Sequence, residues 1–121
     1  MSAFEALGDE EFAYLTTIGR RTGREHRIEI WFGISGGTLY VMSGGGDRSD
    51  WVRNLKANPR VRIRVGDVER PARARVVTDG GEDGTARRLL AAEYQGWREG
   101  AELSTWARTA LVVAVEPEEE R

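Results

Sequence analysis

The segment between residues 19 and 27 (GRRTGREHR) concentrates positive charge on a short stretch that also holds two glycines. Its four arginines are Arg20, Arg21, Arg24 and Arg27. Guanidinium groups form bidentate, charge-assisted hydrogen bonds with phosphates and carboxylates. Gly19 and Gly23 allow backbone conformations in which amides turn toward a ligand. The segment therefore predicts an anion receptor, and the alternative is a solvated hairpin whose arginines only aid solubility.

A run of one serine and three glycines, Ser43 to Gly46, follows a predicted strand and precedes a predicted helix. Backbone amides that lead into a helix N-terminus attract anions and carbonyl oxygens. The same run also fits an ordinary flexible loop. It is not a Walker loop, because no lysine–serine pair follows, and it is not a dinucleotide-binding fingerprint.

A third candidate is the helical segment between residues 51 and 59 (WVRNLKANP). Trp51 could form a wall for a flat aromatic cofactor, and Asn54, three residues on, lies near the same helix face. Trp51 could equally be the core anchor of its helix. Near the C-terminal helix, Tyr94, Trp97 and Trp106 could cover a pocket or simply pack.

Composition excludes several classes of chemistry. The chain has no cysteine and one histidine, His26, which excludes disulfides, thiolate metal sites and histidine-rich metal sites. Thirteen basic and six acidic residues fall between positions 20 and 75, a balance of +7, within a chain of net charge −2. This distribution favours a local anionic ligand over nucleic acid. Without a run of about 20 apolar residues or a leader, we expect a soluble cytoplasmic protein.

The elements that must position these residues are mostly short strands. Alternating and β-branched patterns predict strands over residues 12–18, 27–34, 38–43, 60–65, 70–78 and 109–116. Helices are predicted over 47–58 and 85–97, and Gly36–Gly37 predicts a tight hairpin. The first three strands read as an antiparallel meander, and the arginines of strand 60–65 read as a solvated edge. We therefore expect one α+β barrel domain over residues 1–121, with peripheral tails at 1–10 and 117–121.

Three segments in this order, LTTIGRRTGREHRIEIWF, LYVMSGGG and WVRNLKANPRVRIRVGD, resemble the deazaflavin-dependent nitroreductase family. That family belongs to the split β-barrel flavin/deazaflavin oxidoreductases, related in fold to pyridoxamine-phosphate oxidases. The resemblance is strong over residues 15–77 and loose over 105–117. It implies a six-stranded antiparallel split β-barrel with a short helix after strand 3 and a helix in the C-terminal half. It also implies a hydride donor, reduced coenzyme F420, acting on quinones, nitroaromatics or activated alkenes.

The resemblance also implies roles for individual residues. Arg20, Arg21 and Arg27 match positions that hold the phosphate and polyglutamate tail of the coenzyme. The strand whose backbone lines the cofactor comprises Ile28, Glu29, Ile30 and Trp31. The loop that meets the ring and its linker comprises Met42, Ser43, Gly44 and Gly45, and the helix residues that border the deazaflavin are Trp51 and Asn54. Tyr94 is the catalytic candidate, since some members place a tyrosine near the substrate; the proton comes from a tyrosine or from water.

Two departures from the family pattern concern the site. Gly44 stands where the known nitroreductase branch carries lysine, and one extra residue lies between Gly23 and Arg27. Two other readings stay open: a flavin mononucleotide (FMN) enzyme of the same superfamily, and a non-catalytic cofactor carrier. The expected partner is a small-molecule electron acceptor, with neither nucleic acid nor a transmembrane segment, and the superfamily suggests a homodimer.

Overall fold

The computed structural model describes residues 10–118. These residues form seven β-strands and three α-helices in an α+β arrangement. The strands are β1 (Ala13–Ile18), β2 (Glu25–Ile30), β3 (Gly33–Ser35), β4 (Thr38–Ser43), β5 (Arg60–Val65), β6 (Val68–Val76) and β7 (Leu111–Pro117). The helices are α1 (Asp50–Ala57), α2 (Gly80–Gln95) and α3 (Thr105–Thr109), and a 3-10 turn covers Gly46–Arg48. The predicted tails lie mostly outside the described residues, although Pro117 ends β7.

The strands form one antiparallel sheet in the order β2-β1-β5-β6-β7-β4-β3. Its two edge strands, β2 and β3, are neighbours in the chain and are separated only by Trp31 and Phe32. Three Cα steps span at most about 11 Å. The two edges must therefore approach each other at this crossover, and the sheet curls into a half-barrel.

The predicted count of six strands is wrong by one, because the run 27–34 is two strands. β2 pairs with β1, whereas β3 pairs with β4 through the Gly36–Gly37 hairpin. Both hairpin glycines have positive φ, of 60° and 81°, as the tight turn requires. The predicted meander is thus divided between opposite edges of the sheet. Alternation could not reveal the break, because Ile30 before it, Phe32 within it and Ile34 after it all pack in or against the interior core.

Two apolar cores occupy the two faces of the sheet. The barrel interior holds Leu15, Ile63 and Val113 with Leu55 of α1, all at most 2% exposed. On the outer side of β4 and β7, α2 contributes buried residues to a second core. The remaining outer face carries the exposed Arg60 and Arg62. These arginines are solvated as predicted, but β5 lies between β1 and β6 and is not an edge.

The helices differ from the predictions at their termini. Helix α2 begins at Gly80 rather than near residue 85, because Asp79 accepts a hydrogen bond from the Glu82 amide at 2.8 Å and caps the helix. Gly96, with φ of 67°, ends it. The short α3 was not predicted, and Ser104 caps it. Among residues 10–118, no helix is long and apolar enough to cross a membrane.

Candidate functional site

The arginine-rich turn joins β1 to β2 and is closed by its own backbone. The Gly19 amide donates to the Arg24 carbonyl at 2.7 Å, and the Gly23 amide donates to the Gly19 carbonyl at 2.9 Å. Gly23 has φ of 73°, a left-handed conformation that favours glycine. Gly19 does not have a positive φ, but a Cβ built on it would lie 2.7 Å from Nε2 of His26. A side chain at position 19 would therefore displace the exposed His26 ring, whereas the backbone conformation there does not call for glycine.

A cavity of about 630 Å³ lies between this turn, β2 and α1. It brings together six of the predicted site residues: Arg20, Arg21, Arg27, Ile28, Trp51 and Asn54. Its other lining residues, which the sequence did not single out as binding residues, are Gly19, Thr22, Glu25, His26 and Asp50. We call this space the arginine cavity. The turn and α1 are about 30 positions apart in the chain, so only the fold shows that they share one cavity.

Arg20 is held by two residues of α1. Oδ1 of Asn54 accepts from the backbone amide of Arg20 at 3.2 Å and from its Nη1 at 2.8 Å. Nη2 of Arg20 contacts the carboxylate of Asp50 at 3.2 Å. The amide of Asn54, which is 4% exposed, also donates to the buried hydroxyl of Thr17. The turn is therefore tied to α1 through one guanidinium.

The other cations of the arginine cavity are differently placed. The guanidinium of Arg27 lies over the ring of Tyr14, 4.5 Å from its centroid. Arg21 is exposed, and within residues 10–118 its side chain makes no hydrogen bond or ion pair. Such a group is available to an anion that enters the cavity.

A second cavity, of about 480 Å³, adjoins the crossover between the sheet edges. Four predicted residues line it: Glu29, Ile30, Trp31 and Met42. Phe12, Gln95 and Trp106 complete it. The indoles of Trp31 and Trp106 meet edge to face, with centroids 5.4 Å apart and planes at 90°. We call this space the tryptophan cavity; its walls suit a flat apolar ring.

Tyr94 lies beside Trp31 but is not among the residues that line either cavity. Its ring stacks on the Trp31 indole, and its hydroxyl bonds to both backbone groups of Phe32. Burial raises the pKa of the Tyr94 phenol. These contacts favour a structural role for the hydroxyl over the predicted catalytic one.

The loop after β4 supports the site from outside the two cavities. Ser43 is buried, and its hydroxyl bonds to the Gly46 carbonyl at 2.9 Å and the Ser49 hydroxyl at 2.7 Å. Ser49 therefore stands at the start of α1 without capping it through its side chain. Gly44 and Gly45 are exposed, and a Cβ on Gly44 would lie 3.4 Å from the Trp106 indole. The structure thus places this loop against the tryptophan cavity but not in its lining.

Strand β2 borders both cavities. Arg27 and Ile28 line the arginine cavity, and the next residues, Glu29 and Ile30, line the tryptophan cavity. Because β2 is an edge strand of the sheet that residues 10–118 form, alternate backbone amides and carbonyls along it pair with no strand in that part of the chain. A ligand that follows β2 can therefore reach both cavities and bond to backbone groups.

Residues 4–118 match the model of a protein family described as F420H2-dependent quinone reductase. The chain belongs to the F420H2-dependent quinone reductase family. The protein is therefore an oxidoreductase of the F420H2-dependent reductase type, and the resemblance seen in the sequence is confirmed.

Solved structures share the fold of this F420H2-dependent reductase. A conserved hypothetical protein from Mycobacterium tuberculosis superposes with a TM-score of 0.79 at 18% identity, over 98% of this chain and 82% of that one. A structure described as a domain-swapped dimer superposes with a TM-score of 0.71 at 27% identity, over 89% of this chain and 81% of that one. A structure described as an F420-H2 dependent reductase superposes with a TM-score of 0.65 at 23% identity, over 88% of this chain and 94% of that one.

The residues present in the two cavities fit the coenzyme. F420 combines a flat deazaflavin ring with an anionic phosphate and glutamate tail. The exposed Arg21 and Arg27 match the anionic part, and Trp51 with the free edge of β2 matches a planar ring that needs backbone partners. The chain thus has groups for both parts of the coenzyme.

Proposed function

We propose that this F420H2-dependent reductase transfers a hydride from reduced coenzyme F420 to an electron-poor organic acceptor. A quinone is the first candidate, followed by nitroaromatics and activated alkenes. The observation that carries the proposal is that β2 borders both cavities, with Ile28 lining one and Ile30 the other. One strand edge can therefore align two ligands that must exchange a hydride.

The two cavities have different proposed tasks. Arg21 and Arg27 would hold the phosphate and tail, and Trp51 and the backbone of residues 28–31 would border the ring. Trp31, Met42 and Trp106 would receive the acceptor and exclude water from it. The coenzyme supplies the hydride chemistry when bound. The side chains therefore bind and orient the two ligands.

The FMN alternative predicts a different ligand preference. FMN also carries a phosphate that Arg21 and Arg27 could bind, but it has no glutamate tail. Arg21 and Arg27 line this cavity as two cations that form no ion pair within residues 10–118. Two such cations favour F420, because its tail carries carboxylates in addition to the phosphate. A non-catalytic carrier would bind F420 without oxidising its reduced form.

The test is a titration of tryptophan fluorescence with F420 and, separately, with FMN. Trp51 lines the arginine cavity, so we expect saturable quenching by F420 that is reduced in Trp51→Phe. Trp97→Phe is the control, because the Trp97 indole donates to the Ala101 carbonyl and lines neither cavity. Reduced F420 is then mixed with a soluble quinone. Preference for FMN, or binding of F420 without turnover, would each reject the proposal.

A homodimer remains part of the proposal. The 27% identical structure described as a domain-swapped dimer supports it. Light scattering on the purified protein gives the mass directly, and a monomer at micromolar concentration would reject this part alone.

A further inference from the structure

The four arginines of the turn differ in what their guanidinium groups already contact. The guanidinium of Arg20 is shared between Asn54 and Asp50, and its side chain is only 23% exposed. Arg21 lines the same cavity with no hydrogen bond or ion pair among residues 10–118. Equal roles for Arg20 and Arg21 in anion binding, as the sequence suggested, are therefore hard to reconcile with these contacts.

The two partners of Arg20 lie one helical turn apart on α1. Residues at positions i and i+4 share a helix face, so Asp50 and Asn54 present a carboxylate and an amide side by side. The Asp50 carboxylate is 84% exposed, and such an ion pair contributes little stability in water. The decisive partner is Asn54, because it is 4% exposed and its hydrogen bonds form away from solvent.

Every polar group of the Asn54 side chain is directed at the entry to the turn. Oδ1 accepts hydrogen bonds from the backbone amide and the Nη1 group of Arg20, and Nδ2 donates to the hydroxyl of Thr17. Thr17 and Asn54 are buried with no unsatisfied side-chain polar atom among the described residues. A buried amide without these partners would be costly. The position of Asn54 on α1 therefore determines where the turn begins.

We infer that Asn54 and Arg20, with Asp50 and Thr17, form a clamp that positions the arginine turn against α1, and that Arg21 and Arg27 bind the anion. The inference rests on the proposed function for the identity of that anion. Asp50 offsets the charge of Arg20, so the attraction for an anion in the cavity comes from Arg21 and Arg27. Asn54 and Arg20 are positioning residues rather than contacts of the coenzyme.

The test compares Arg20→Gln, Arg21→Gln and Arg27→Gln by F420 affinity across a series of salt concentrations. Charges that pair with the ligand make its affinity salt-dependent. We expect Arg21→Gln and Arg27→Gln to weaken binding about tenfold each and to flatten the salt dependence. Arg20→Gln should weaken binding about threefold at every salt concentration, with the wild-type salt slope, because a loosened turn holds Arg21 and Arg27 less precisely but keeps both charges; its Tm should fall by about 4 °C. Arg98→Gln, outside both cavities, is the charge control.

A second measurement needs no ligand. Urea unfolding of Arg20→Gln, Asn54→Ala and the double variant forms a double-mutant cycle, and a clamp predicts that the double variant loses less stability than the two single losses together. If Asn54→Ala does not fold, the milder Asn54→Ser takes its place in the cycle. Additive losses, or a salt slope for Arg20→Gln as flat as that of Arg21→Gln, would overturn the inference. Absence of F420 binding by wild type would overturn the proposed function. The double-mutant cycle would then be the test of whether the clamp exists.

Discussion

The phenol of Tyr94 lies flat on the indole of Trp31, with ring centroids 4.6 Å apart and planes 7° from parallel. Its hydroxyl accepts from the Phe32 amide at 3.1 Å, and its proton is shared between the carbonyls of Phe32 and Glu11, at 3.0 and 2.9 Å. Tyr94 thus secures the two residues at which the chain crosses between the edges of the sheet. The position of Trp31 in the tryptophan cavity depends on this contact.

Replacing Tyr94 with phenylalanine should reduce stability more than chemistry. The Phe32 amide loses its acceptor, and the expected cost is about 1–3 kcal/mol of unfolding free energy, measured with urea. Stacking on Trp31 is retained in the variant. Turnover per folded molecule should therefore stay within about threefold of the wild-type value. Tyr14→Phe is the control, because no hydrogen bond of the Tyr14 hydroxyl forms within residues 10–118. A hundredfold loss of turnover at unchanged stability would instead make Tyr94 the proton donor.

Trp106→Phe should separate the acceptor from the coenzyme. The smaller ring leaves part of the tryptophan cavity unfilled and removes the edge-to-face contact with Trp31. We expect KM for a soluble quinone to rise about fivefold to tenfold, from roughly 1 kcal/mol of lost contact, while the Kd of F420 is unchanged. Steady-state kinetics and fluorescence titration give the two values. An equal rise in both would show that the two ligands do not occupy separate cavities.

The two turn glycines should respond differently to alanine. Gly19→Ala places a Cβ against the ring of His26, which lines the arginine cavity, so F420 affinity should fall together with Tm. Gly23→Ala meets no atom within 4 Å but must adopt a positive φ, at about 1–2 kcal/mol. Its F420 affinity should stay near wild type once the protein is folded. The reverse pattern would mean that His26 does not shape the cavity.

Acid should destabilise the protein partly through Glu82. Arg75 binds this carboxylate with two hydrogen bonds of 2.8 Å and Tyr40 donates to it at 2.7 Å; together they lower the pKa of Glu82 to about 2. The pKa of Glu82 is lower in the folded protein than its ordinary value of about 4.5, so the ionised carboxylate stabilises the fold at pH values above about 4.5. This stabilisation is lost as pH falls toward 2.

Wild type should therefore lose unfolding free energy between about pH 5 and pH 2 more steeply than Glu82→Gln. Urea unfolding at several pH values measures the slope. Glu99→Gln, which removes an exposed carboxylate distant from Arg75 in the sequence, is the control. Identical slopes for wild type and Glu82→Gln would show that the Arg75 contact does not persist in solution.

Features that depend on a few neighbouring residues could be predicted from the amino-acid sequence. Alternation located the strands, and Gly36–Gly37 located a hairpin, because side-chain direction and positive φ are local properties. The motifs around Arg20 and Asn54 were specific enough to identify the family. Local signals also misled: the helix predicted over 85–97 begins earlier, at Gly80, because Asp79 caps it there.

The way in which those local elements are joined depends on contacts between distant parts of the chain. Closure of the sheet divided one predicted strand into β2 and β3, brought Tyr94 behind Trp31, and set Asn54 against Arg20, 34 positions away. The alternation of residues 27–34 is compatible with one strand or two, because it records which face is buried and not which strand is the partner. Which strand pairs with which depends on the packing of the whole barrel. The same packing holds Arg20 against α1 and leaves Arg21 exposed in the arginine cavity.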